Sequence, residues 1–283
     1  VKYFNTPTKT TALGLAYSAG AVEFIETHPA AIEFIEIPFE QLRHTPEIGS
    51  VQEQIPVVLH CASMSVAGSV LPARTTLEAI KHEAGRTKTP WIGEHLAFVS
   101  ADPLDHQSQA EGSPISLTYT VCPQMSDETV ERVAENLELL QPNFGAPLIL
   151  ENSPQYFDIP GSTMPMVDFI NAVSRRCRIG LLLDLTHFLI TTLNTGRDAI
   201  KEINRLPLET VVEIHVSGLS TQSGVAWDDH ATPAPATVFA LLERVLERVR
   251  PRALTFEYNW SPRFPEAILE SHIDRARRLL GQS

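Results

Sequence analysis

The chain of 283 residues is 43% hydrophobic and 20% charged, and its formal net charge is −12. That composition belongs to a globular protein with a large core. The acidic balance argues against a nucleic-acid-binding surface, which is normally basic.

No apolar run reaches the ~20 residues that a membrane-spanning helix needs. The N-terminus lacks a charged-then-apolar signal pattern. It begins at Val rather than Met, which points to a missing or processed start. Cys61, Cys122 and Cys177 are too widely spaced for a disulfide framework or a CxxC zinc site, so they read as free thiols of a cytoplasmic protein.

In chain order, residues 12–18 form a short apolar strand and 19–28 a helix. Residues 32–38 (IEFIEIP) alternate apolar side chains with Glu33 and Glu36 and end at Pro38. Residues 56–60 (PVVLH) are a third strand ending in His60. A Ser/Ala/Gly-rich loop at 61–72 precedes a helix at 74–86. Residues 91–98 (WIGEHLAF) are a fourth strand carrying Glu94 and His95. Residues 100–124 are polar and read as a long loop over an active site.

Ser126-Asp127-Glu128 caps a helix running to Leu140. Residues 147–157 (PLILENSPQYF) are the centrepiece: a buried strand that runs straight into Glu151 and Asn152. A helix at 166–177 leads to a sixth strand at 179–189, carrying Asp184 and His187. The seventh, 211–218, carries His215. A loop at 219–235 contains Trp227-Asp228-Asp229-His230, and 237–249 is helical. The eighth strand, 253–260, carries Glu257, and 264–280 closes as an amphipathic helix. Near-continuous apolar strands alternating with helices predict a parallel sheet, and eight such units predict one (β/α)8 TIM-type barrel domain over residues 1–283. GxGxxG after the first strand and GxxxxGK[ST] are both absent.

Barrel active sites lie at the C-terminal strand ends. Those ends deliver His60, Glu94, His95, Glu151, Asn152, Asp184, His187, His215 and Glu257, and the loop after the seventh strand adds Asp228 and His230. Carboxylates packed together without cations raise one another's pKa values, and bound divalent ions remove the conflict. A nitrogen and oxygen donor set without thiolates suits iron, manganese or catalytic zinc. The number of candidates exceeds what one ion uses, so more than one ion is expected. Asn152, Glu94 and Asp229 are available to orient the ligands. Cys61 reads as a core thiol. His28, His44, His82 and His272 read as surface residues, and His106 is a candidate substrate contact. Tyr119, Phe157, Phe188, Trp227, Tyr258 and Trp260 read as core or pocket lining.

The segments LHCASMSVAGS, WIGEHLAF, LILENSPQYF, GLLLDLTHF, EIHVSGL, the Asp228-Asp229-His230 triplet and LTFEYNW stand in this order. Together they resemble the multinuclear non-heme iron-dependent oxidative enzymes, whose type member is the methanobactin biosynthesis oxygenase, over about residues 12–280. The resemblance implies a TIM-like barrel with two or three irons in a ferrous/ferric mixture. The implied ligands are His60, His95, Glu151, Asp184, His215, Asp228, His230 and Glu257. His187 stands where the family commonly has Asn and still offers a metal-binding nitrogen. Asn259 stands where many members have an acid. Glu94, His187 and Asn259 are the candidates for a catalytic role. The implied reaction uses dioxygen to oxidise a residue, usually cysteine, in a ribosomally synthesised precursor peptide. A separate partner protein is expected to hold the leader, since neither terminus shows a peptide-binding extension. Substrate choice is expected to reside in residues 100–124 and 219–226.

Two other readings compete. A xylose-isomerase-like divalent-metal isomerase or hydrolase also places His, Asp and Glu at strand ends, but needs no oxygen. A non-catalytic metal-binding protein would show no open coordination positions and no turnover.

Overall fold

The computed structural model describes residues 10–44, 46–101, 115–259 and 265–282, with backbone alone at 46–49 and 118. The strands are β1 (Ala12–Ala16), β2 (Phe34–Pro38), β3 (Val57–Cys61), β4 (Ile92–His95), β5 (Phe98–Ala101), β6 (Ile115–Val121), β7 (Leu148–Glu151), β8 (Gly180–Asp184), β9 (Val211–Val216), β10 (Leu219–Gln222), β11 (Val225–Asp228) and β12 (Ala253–Phe256). The helices are α1 (Ala19–Thr27), α2 (Phe39–His44), α3 (Arg74–Thr87), α4 (Asp127–Leu140), α5 (Met166–Cys177), α6 (Leu185–Asn194), α7 (Ala199–Ile203), α8 (Ala236–Leu246) and α9 (Glu266–Leu280). Eight strands close a barrel in the order β1-β12-β9-β8-β7-β4-β3-β2. Every neighbouring pair is parallel. The expected fold class is the observed one.

Alternation along the strands, interrupted in β9 by a register shift at Val212, divides the side chains between two cores. Outward-facing Leu13, Ile35, Leu59, Ile92, Leu150, Leu183, Ile214 and Leu254 are buried against the helices. Inside the barrel, Phe34, Val58, Trp91, Ile149, Leu182, Val212 and Ala253 fill the N-terminal end as a separate apolar cluster. Burying a side chain such as Phe34, Val58, Ile149 or Leu182 contributes roughly 1.5–3 kcal/mol. Gly14 leaves room for the ring of Phe34, because a Cβ there would stand 2.3 Å from it. The apolar plug closes one end of the barrel and leaves the inward positions nearer the C-terminal end to polar side chains.

The helices begin where local chemistry dictates. Ser18 caps α1 by accepting from Ala21 N, and Ser126 caps α4 by accepting from Thr129 N. Three expectations need correction. The sixth strand stops at Asp184, and residues 185–194 are helix α6. An unbroken apolar run fits a buried helix as well as a strand, and Asp184 decides the matter as N-cap, accepting from His187 N at 2.6 Å. Residues 115–121 are not loop but strand, paired antiparallel with β5. Residues 219–228 are likewise a hairpin, β10–β11, turning through Ser223 and Gly224, both at positive φ. His106 and Trp260 lie outside the described residues.

Candidate metal centre

Counting by twos along the barrel strands places one layer of polar side chains at the C-terminal mouth. His60, His95, Glu151, Asp184 and His215 occupy their strand ends, and Glu257 follows β12. Gly93 makes space for His60, since a Cβ there would lie 2.6 Å from His60 Nδ1. Asn152 holds the next strand in place. Its amide donates to Asp184 O and accepts from Asp184 N, both at 2.9 Å. His187 arrives from the first turn of α6, where Asp184 caps the helix. Asp228 ends β11, and His230 follows with φ 51°, in the left-handed region where a non-glycine residue is strained.

The ligand atoms converge. His60 Nε2 lies 3.2 Å from His95 Nε2 and 3.2 Å from Glu151 Oε2. His95 Nδ1 is 3.1 Å from Glu151 Oε2, and His187 Nδ1 is 3.1 Å from Glu151 Oε1. His215 Nδ1 is 3.1 Å from Glu257 Oε2. Asp228 Oδ2 sits 3.2 Å from His187 Nε2 and 2.9 Å from His230 Nε2. Four groups result: His60, His95 and Glu151; Glu151, Asp184, His215 and Glu257; His187, Asp228 and His230; and, deeper in the barrel, Glu36, His60 and His215, the ligand atoms of each lying within 4.8 Å of one another. Glu151 belongs to two of these groups.

Hydrogen bonding tests whether these residues fit metal. Buried atoms without a hydrogen-bond partner include His60 Nδ1, His95 Nδ1, both Glu151 oxygens, Asp184 Oδ2, His215 Nδ1, Asp228 Oδ1, His230 Nε2 and Glu257 Oε2. Buried polar atoms are normally satisfied. Here many of them approach one another closely without forming hydrogen bonds. That arrangement suits cations, and the nitrogen and oxygen donor set suits iron, manganese or zinc.

Electrostatics agrees. Burial drives Asp184 up to about 7, against the pull of His187. Burial lowers His60, but Glu36 and Glu151 outweigh it and lift the ring to about 10. Burial takes His95 down to about 4. Burial alone would raise Glu151, yet the surrounding histidines, His95 foremost, hold it well below the usual carboxylate range. With protein groups alone, imidazoles carry the compensating positive charge that metal ions would otherwise supply.

Other candidates lie elsewhere. Glu94 precedes His95 and points the opposite way, accepting Met64 N at 3.1 Å, and burial raises its pKa well above normal. Asp229 shapes its own turn, accepting from Ala231 N and Thr232 Oγ1. Asn259 is exposed at the rim, and its backbone N donates to His230 O at 2.7 Å. Cys61 is a buried core thiol, as expected. His272 is not a surface residue: it is half-buried and 2.7 Å from the Tyr258 hydroxyl.

Two inward carboxylates escaped sequence reasoning. Glu36 and Glu213 are 2% and 0% exposed. Both stand inside strands rather than at their ends, and stepping back by twos from Pro38 and His215 would have found them.

Above the ligands opens a cavity of about 1150 Å³, whose lining includes His95, His187, Asp228, His230 and Glu257. Tyr156 stacks on Trp227 at 4.4 Å between ring centroids, and Tyr119 and Phe157 stand exposed beside them.

A family model described as "RiPP precursor modification enzyme MbnB/TglH/ChrH" matches residues 12–280. The chain belongs to this family of enzymes that modify ribosomally synthesised and post-translationally modified peptide (RiPP) precursors. Relatives of the chain include a UPF0276 protein of Caulobacter vibrioides, 26% identical over 92% of this chain and 91% of its own length. Another, from Caulobacter sp. strain K31, is 29% identical over 83% of this chain and 82% of its own length. Among solved structures, a D-tagatose 3-epimerase-like protein superposes with a TM-score of 0.60 at 12% identity, covering 96% of this chain and 98% of that one. Endonuclease IV of Thermus thermophilus gives 0.55 at 15%, covering 96% and 100%. These likenesses establish the shared barrel fold.

Proposed function

We propose that the protein is a cytoplasmic oxidative enzyme that uses two or three iron ions and dioxygen to modify a cysteine in a ribosomally synthesised precursor peptide. The observation that supports this most is the convergence of buried, unsatisfied imidazole and carboxylate atoms in a chain of a precursor-modifying family. His60, His95 and Glu151 would hold one ion, and Asp184, His215, Glu257 and Glu151 a second. His187, Asp228 and His230 would hold a third. Bound iron supplies a redox couple for dioxygen, which accepts the electrons taken from the peptide, and a Lewis acid that favours the substrate thiolate.

The rest is the work of this chain. Asp184, His215 and Glu151 lie buried beneath the cavity, while His95, Asp228 and His230 line it, so the substrate meets the ligand layer from one side. Asn152 and the α6 N-terminus keep Asp184 and His187 in register. The Tyr156–Trp227 stack, Tyr119 and Phe157 offer apolar faces to a peptide segment, and a segment filling the cavity excludes water. Asn259 at the rim can donate and accept hydrogen bonds but carries no proton to give up, so acid–base work falls to other groups. A separate partner protein presents the peptide leader.

The test is iron content and oxygen uptake of anaerobically purified protein mixed with a cysteine-containing precursor peptide. Two to three irons per chain and peptide-dependent oxygen consumption are expected. The barrel's likeness to sugar epimerases favours a second reading, a divalent-metal isomerase or hydrolase. Activity with zinc or manganese and no oxygen uptake would establish that reading and remove the first.

A further inference from the structure

We propose that Glu36 is a positioning residue for His215 of the metal centre, fixing which ring nitrogen of His215 faces the ions. The inference rests on the metal reading above and extends it by one layer into the barrel. Glu36 lies in the middle of β2, 2% exposed. Its Oε2 is 3.2 Å from His215 Nε2, in hydrogen-bond contact, and 3.9 Å from His60 Nδ1.

The opposite ring nitrogens face the mouth. His60 Nε2 meets His95 and Glu151 at 3.2 Å, and His215 Nδ1 meets Glu257 at 3.1 Å. One carboxylate oxygen therefore contacts the inner nitrogen of His215, whose outer nitrogen belongs to a ligand group, while His60 Nδ1 stays beyond hydrogen-bond range. Glu213 supports the same floor. It accepts Trp91 Nε1 at 2.7 Å and Thr255 Oγ1 at 2.6 Å, and its Oε1 stands 3.8 Å from His215 Nε2.

A cation could also be imagined among Glu36, His60 and His215, whose ligand atoms lie within 4.8 Å of one another. It would make each ring bridge two ions and would require both ring protons to leave. Accepting the His215 Nε2–H at Glu36 needs only the ordinary neutral tautomer, the arrangement by which carboxylates usually orient metal-bound histidines.

The experiment is cobalt(II) titration of the metal-free protein, followed by visible absorption, for wild type, Glu36→Ala and Glu36→Gln. Glu36→Ala is expected to bind the same number of ions about 10–100-fold more weakly, with shifted absorption bands. Glu36→Gln keeps the volume and one acceptor oxygen, so it should fall between alanine and wild type. It decides the question alone if the alanine variant does not fold. Affinities within about twofold of wild type and unchanged bands would overturn the inference. Loss of a whole ion in both variants would make Glu36 a ligand and overturn it too. Wild-type protein that takes up no cobalt would remove the metal reading and this inference together.

Discussion

His272 shows how burial sets the chemistry of one side chain far from the cluster of ligands. Its ring packs edge-on against Phe239 at 4.9 Å, and its Nδ1 lies 2.7 Å from the Tyr258 hydroxyl, which in turn accepts Ala234 N. Burial, reinforced by Arg275, lowers its pKa from the ordinary 6.5 to about 4. The folded state therefore favours the neutral ring. Between those values the unfolded chain binds the proton and the native one does not, so stability falls as pH drops through that window. The unfolding midpoint of wild type should fall more between pH 7 and pH 5 than that of His272→Gln, measured on metal-free protein. Parallel curves would show that the ring titrates normally. A helix position with alternating charged neighbours gave no hint of this, because the aromatic wall that buries His272 comes from α8 and the last strand.

At the scale of elements, the β10–β11 hairpin and α6 act together. Asn194 at the end of α6 donates to Ala226 O at 2.9 Å and accepts from Ala226 N at 2.8 Å, tying the helix that carries His187 to the strand that carries Asp228. The other end of the loop is set by Gly218, where a Cβ would fall 1.7 Å from Thr232 O. Backbone must move to admit any side chain there. Gly218→Ala should cost about 1–3 kcal/mol by overpacking. It should also lower metal retention by the His187, Asp228 and His230 group, read by denaturant midpoint and metal analysis. A destabilised variant with wild-type metal content would separate the loop's packing from its role in the site. The Ser223-Gly224 turn was readable in principle as a hairpin signal, but the strands beside it are only four residues each, too short for periodicity to show.

For the whole molecule, the candidate metal centre joins β3, β4, β7, β8 and β9 to α6, the hairpin and the residue after β12, so metal binding should stabilise the barrel as a unit. Ion at about 100-fold its dissociation constant adds about 2.7 kcal/mol. In a chain of this size that corresponds to a rise of about 4–5 °C in Tm. Chelator should reverse the shift at neutral pH, and acidification should do the same by protonating the histidines. A Tm indifferent to iron, manganese, zinc and cobalt would count against a metal centre. Among the described residues no helix is long and apolar enough to cross a membrane.

The sequence alone determined the barrel and the polar strand ends. Near-continuous apolar strands alternating with helices leave few alternatives, and a charged residue closing an apolar strand is costly unless something pairs it. It did not separate β8 from α6, because a continuous apolar run is the same signal for a buried strand and a buried helix until the N-cap is seen. It also passed over Glu36 and Glu213, whose neighbours in sequence are apolar and whose partners lie on other strands. Only barrel closure decided that these carboxylates stand beneath His60 and His215, because it turns one face of every strand toward a single enclosed space.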